Sequence, residues 1–155
     1  MRPVLFVTAI VLAGCGAQVA GPGTVPTTVT ATAGQFHAEA SPARLAPGGT
    51  VQVSFTVTGP IDYEVGCVQT LHIWALDGQG TQVWAEPVPA IMCMAYGHKV
   101  LGSQETAVFK AEWPTSSTLA PGAYTIHGLF LTVLPPGAGA RVRENLPPLS
   151  VTLTS

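Results

Sequence analysis

Nine consecutive residues, Thr50 to Thr58, alternate without a break: Val51, Val53, Phe55 and Val57 are apolar, and Thr50, Gln52, Ser54, Thr56 and Thr58 are polar. A period of two suits a β-strand with one face in a core and the other in water, and it suits no helix. The pattern recurs twice. Ala107, Phe109, Ala111 and Trp113 alternate with Thr106, Val108, Lys110 and Glu112, and Tyr124, Ile126, Gly128 and Phe130 alternate with Thr125, His127, Leu129 and Leu131. Two of the three runs follow the same tetrapeptide, Leu45-Ala46-Pro47-Gly48 and Leu119-Ala120-Pro121-Gly122, in which Pro presets a turn and Gly takes positive φ.

Further runs at Gln35 to Ala40, Val68 to Leu76, Thr81 to Glu86 and Leu149 to Leu153 raise the expected number of strands to about seven. With turns between them, they predict an all-β fold, an immunoglobulin-like antiparallel β-sandwich. Seventeen Gly and 14 Pro in 155 residues favour short strands over a helical bundle. Only 9% of residues are charged and the formal net charge is -2, which disfavours a phosphate-binding protein and makes nucleic acid a poor partner.

The N-terminus sets the expected compartment. Arg2 precedes an uncharged run from Val4 to Ala13, too short to span a bilayer as a helix and suited to a signal peptide. Its end, Leu12-Ala13-Gly14-Cys15, resembles the lipobox of bacterial lipoproteins, in which the cysteine is acylated and the chain is cut before it. The resemblance implies a leader at 1–14, a lipidated Cys15 and an extracytoplasmic protein anchored to a cell membrane or outer membrane. Acyl chains contribute about 0.8 kcal/mol per buried methylene, enough for durable attachment. Residues 15–34, uncharged and rich in Gly, Ala, Thr and Pro, read as a flexible tether, with Thr27 to Thr32 as an alternative edge strand. The sandwich is then expected over 35–155.

With Cys15 assigned to lipid, Cys67 and Cys93 remain, and an even count in an oxidising compartment predicts one disulfide. It would close about 26 residues and contribute roughly 3 kcal/mol. It would also tie a strand to the loop Pro87 to Leu101. The same loop offers Met92, Met94 and His98 as a copper site of soft sulfur and imidazole. Its spacing from Cys93 to His98 resembles that of cupredoxins, but no Met follows the His, and Cys67 is an available partner for Cys93. The primary reading has no metal and no cofactor, with Met92 and Met94 as packing residues.

No nucleophile is paired with a base. His37, His72, His98 and His127 fall on separate expected elements, and Asp77-Gly78-Gln79-Gly80 is a hairpin turn rather than a phosphate loop. A non-enzymatic protein is expected.

The hairpin running from Leu71-His72-Ile73-Trp74-Ala75-Leu76 through Asp77 to Gly80 and into Thr81-Gln82-Val83-Trp84 resembles the pattern of the intracellular proteinase inhibitor (BsuPI-like) family. The strand ending at Trp113, the Pro-Gly turn and the strand Ala123 to Phe130 are similar to the second half of that pattern. The resemblance covers roughly 50–132. It implies an immunoglobulin-like sandwich and, for the founding type, inhibition of a subtilisin-like serine protease. Export, lipidation and a disulfide depart from an intracellular inhibitor.

Trp74 and Trp84 flank one turn, and whether they share a face depends on the register. An even loop sets Trp84 against Ile73. An odd loop sets it against Trp74 and gathers His72, Trp74, Trp84 and Glu86 into one patch. That hairpin and the bridged loop, which holds Tyr96, form the candidate surface for an envelope protein partner, a protease among the options.

Overall fold

The computed structural model describes residues 28–66, 69–88, 96–133 and 141–155. All regular structure in them is β. The seven expected strands are present: β2 (Phe36–Ser41), β4 (Thr50–Thr58), β6 (Leu71–Leu76), β7 (Gln82–Ala85), β9 (Thr106–Pro114), β10 (Gly122–Val133) and β12 (Leu149–Leu153). Five others join them: β1 (Val29–Ala33), β3 (Arg44–Leu45), β5 (Ile61–Gly66), β8 (Tyr96–Leu101) and β11 (Arg141–Asn145).

The strands form a sandwich. One sheet has the order β1-β2-β4-β9, the other β3-β12-β10-β6-β7 with β11 also on β10, and β5-β8 is a separate two-stranded ribbon. Every pairing is antiparallel except the short β3 against β12. With β2, β4, β6, β7, β9, β10 and β12 read as A, B, C, C′, E, F and G, the sheets are A-B-E and G-F-C-C′, an immunoglobulin-type arrangement. A tyrosine corner accompanies it: Tyr124, near the start of β10, donates its hydroxyl to the carbonyl of Ala120 at 2.7 Å.

The alternation places the core as expected. Val51, Val53, Phe55 and Val57 of one sheet are buried against Ile73, Ile126, Phe130, Leu149 and Val151 of the other. Trp113 is the largest fully buried side chain. Its ring lies 5.7 Å from that of Tyr124, while Phe130 gathers Tyr63, Phe109 and Phe36 at 5.3 to 5.8 Å. Burying rings of this size is the main source of core stability.

Three boundaries differ from the sequence reading. The stretch 15–34 contains β1, which pairs with β2 from Val29 opposite Ala40 to Ala33 opposite Phe36. The described fold therefore begins before residue 35, with an edge strand that overlaps the Thr27 to Thr32 alternative. Gly34 makes this possible, because its φ of +55° closes the two-residue turn. The stretch from Pro87 to Leu101 is not loop throughout, since Tyr96–Leu101 pairs with Ile61–Gly66. Of the run Val68 to Leu76, the described residues give strand over Leu71–Leu76, with Gln69 and Thr70 outside it and Val68 outside the described residues. The leader region, with Cys15, and also Cys67, Met92, Cys93 and Met94, lies outside the described residues.

Candidate functional site

The site begins at one turn. Asp77 accepts hydrogen bonds on Oδ1 from the backbone N–H groups of Gln79 (2.9 Å) and Thr81 (2.8 Å), and its own N–H donates to the Thr81 carbonyl at 2.9 Å. This side chain replaces ladder partners that the turn lacks. The strands leave the turn with Leu76 opposite Gln82, a register that taken alone would set Trp74 against Trp84. The register then slips by one residue at Val83, so Ala75 faces Trp84 and Trp74 faces Ala85. A β-bulge has inserted one residue into β7 and exchanged the faces of everything beyond it.

Trp84 therefore shares the core side with buried Ala75, and its ring lies 6.3 Å from that of Trp113. Trp74 points to the outer side. The odd-register patch of His72, Trp74, Trp84 and Glu86 does not form. Glu86 continues the β7 ladder by donating its N–H to the Ile73 carbonyl at 2.8 Å, so its side chain lies on the Trp84 side. Desolvation by burial raises its carboxyl above the ordinary value. Tyr96 sits opposite Gly66 on the β5-β8 ribbon.

What replaces the patch is a stack spanning two strands. The ring of His72 is stacked on Trp74 with centroids 5.2 Å apart and 23° between planes. His127, from β10 and directly opposite Trp74, is stacked at 5.5 Å and 13°. All three are half-buried on the outer face of the second sheet. Their nearest cross-strand surroundings are neutral, with Arg143 further along the same face opposite Leu131. Leu129 stands beside His72, with Asn145 beyond it, and Thr125 beside Leu76, with Ser150 beyond it. Such a surface can offer aromatic area and imidazole hydrogen-bonding groups.

His127 was missed as a site residue because 53 positions separate it from Trp74 in the sequence. The available signal was its place among Thr125, Leu129 and Leu131, the outward half of an alternating run. Pairing β10 with β6 then brings it beside the indole.

Of the residues weighed for copper, His98 alone lies among the described residues. It stands on β8 opposite Glu64, and its Nδ1 is 3.5 Å from Oδ1 of Asp62, a buried oxygen that makes no hydrogen bond. Among the described residues no three His, Cys, Asp or Glu side chains cluster in a way that could hold a metal ion.

No family model matches the chain, and no curated protein matches it. Among solved structures it is similar to the C-terminal domain of wzt, with 14% identity, a TM-score of 0.45, and coverage of 86% of this chain and 81% of that one.

Proposed function

We propose that this protein is a lipid-anchored, non-catalytic binding module of the bacterial envelope that meets a protein partner on the outer face of β6 and β10. The observation that carries this reading is the His72–Trp74–His127 stack, half-buried and set among neutral side chains at the middle of a sheet face. An indole flanked by rigid neighbours loses little conformational freedom on binding, so such residues tend to dominate protein interfaces. Attachment through Cys15 would hold this face near a membrane surface and restrict its encounters to envelope proteins.

Site-specific photo-cross-linking in cells tests the reading. A photoreactive residue at Thr125, beside the stack, is expected to capture one discrete partner, and the same probe at Thr56, on the outer side of the other sheet, is expected not to. Equal capture from both positions, or capture unaffected by Trp74→Ala, would overturn it. Replacement of Cys15 by Ala is expected to release the protein from the membrane fraction.

Inhibition of a subtilisin-like protease is the second reading, favoured by the β5-β8 ribbon. The pairing of Gly66 with Tyr96 brings together the chain just before Cys67 and just after the segment that holds Cys93. That supports a Cys67–Cys93 disulfide and a segment constrained at both ends, the condition under which a loop can occupy a protease cleft at low ordering cost. Titrating a subtilisin-like protease with oxidised and reduced protein separates the readings: stoichiometric inhibition lost on reduction supports this one, and no inhibition by oxidised protein removes it.

A further inference from the structure

The first sheet ends, among the described residues, at β9. Among the described residues β4 is the one strand paired with it, in register from Thr58 opposite Thr106 to Thr50 opposite Pro114. In the constant-type immunoglobulin sandwich a further strand lies beyond this position. Here nine residues of strand present their other edge, with a row of backbone donors and acceptors directed away from β4. Side chains near that edge are incompletely covered. Val108 is 54% exposed, and Ala107 and Phe109 are half-buried although they point inward.

We propose that this edge pairs with β9 of a second copy of the chain, forming an antiparallel two-fold interface in which Lys110 of each copy stands opposite Glu112 of the other. The charge pattern selects that occupant. With Ala111 on the two-fold axis, one alignment sets both lysines against both glutamates, whereas moving the axis by one residue, a two-residue slip of the strands, sets Lys110 against itself or Glu112 against itself. Opposite charges directly across an antiparallel pair stabilise it and like charges oppose it. Both side chains are exposed on the outer face, where Glu112 also accepts a hydrogen bond from Gln52 of β4 at 3.1 Å. In the same register Phe109 lies against the edge residue Trp113 of the other copy, so the half-buried inner positions gain cover. A two-fold pairing of one strand with itself closes without leaving a new edge of β9, which limits the assembly to two chains.

The test is the polypeptide mass of the full chain in mild detergent, measured by sedimentation across a concentration series, with thermal melts to establish that each variant is folded. The expected result is a concentration-dependent doubling of mass. Lys110→Glu and Glu112→Lys each weaken association by about tenfold or more, and the double variant restores it. A cysteine at Ala111 is expected to give a disulfide-linked dimer in greater yield than cysteine at Lys110 or Glu112. A wild-type chain that stays monomeric at all concentrations overturns the proposal. A dimer indifferent to both single variants overturns it as well, and a dimer that the double variant does not restore overturns the register.

Discussion

Trp74 and Trp84, ten positions apart on the two strands of one hairpin, face opposite sides of their sheet. Trp84 reaches Trp113 at the core, and Trp74 is stacked between His72 and His127 outside it. A single bulged residue, Val83, is responsible. The same indole thereby serves stability in one case and presents an outward surface in the other.

Deleting Val83 is expected to undo this arrangement. The strands would continue in the register set at the turn, bringing Trp84 opposite Trp74 and removing the ring that packs on Trp113. Loss of that contact and of its buried area is expected to cost about 2–4 kcal/mol. Denaturant titration followed by tryptophan emission, with the spectrum shifted to longer wavelength before unfolding, would reveal it; an unchanged midpoint and spectrum would contradict the assignment.

Replacing each tryptophan by alanine should separate the two roles. Trp113 is 1% exposed, so Trp113→Ala is expected to cost about 3–5 kcal/mol. Trp74→Ala removes two ring contacts on an outer face and is expected to cost only about 1–2 kcal/mol. It should abolish partner cross-linking while the fold persists by circular dichroism.

Glu86 makes stability depend on pH in a defined sense. Its native carboxyl is raised by desolvation above the ordinary 4.5, so the native state binds its proton more tightly than the unfolded chain does. Stability from this group is complete below about 4.5 and declines as pH rises through the native value, leaving a deficit at neutral pH. Glu86→Gln should therefore raise Tm at pH 7 by up to about 2 °C, a small figure because the group keeps contact with water. The gain should vanish near pH 3, where both side chains are neutral. A gain that persists there would assign the effect to packing instead.

Gly59 is expected to tolerate no side chain. It links β4 to β5 beside the turn that links β8 to β9, and a Cβ there would fall on the carbonyl oxygen of Gly102 and 2.6 Å from that of Leu101. Both are backbone atoms and cannot rotate away. Gly59→Ala should cost about 2–3 kcal/mol and loosen the β5-β8 ribbon first. Hydrogen exchange of Tyr63 and Lys99, which pair across the ribbon, reports this directly.

Much of the framework was legible because period-two alternation is a local signal. Val51, Val53, Phe55 and Val57 declare their face without reference to any other strand, and so do Tyr124, Ile126 and Phe130. The ribbon was harder to read. Ile61, Tyr63 and Val65 alternate with Asp62 and Glu64, but the run is short and follows Gly59-Pro60, and its partner Tyr96–Leu101 carries Gly97 and little alternation of its own. The strand at Val29–Ala33 resembles a tether in composition and becomes strand through pairing with Phe36–Ser41.

Sequence alone determined the seven principal strands, the inward faces of the three alternating runs and the sandwich class, because each follows from spacing within a few residues. Tertiary structure decided the candidate site. Only strand pairing could bring His127 to Trp74 across 53 positions, and only the bulge at Val83 could turn Trp84 inward, since register is a relation between two chain segments and a one-residue slip reverses every face beyond it.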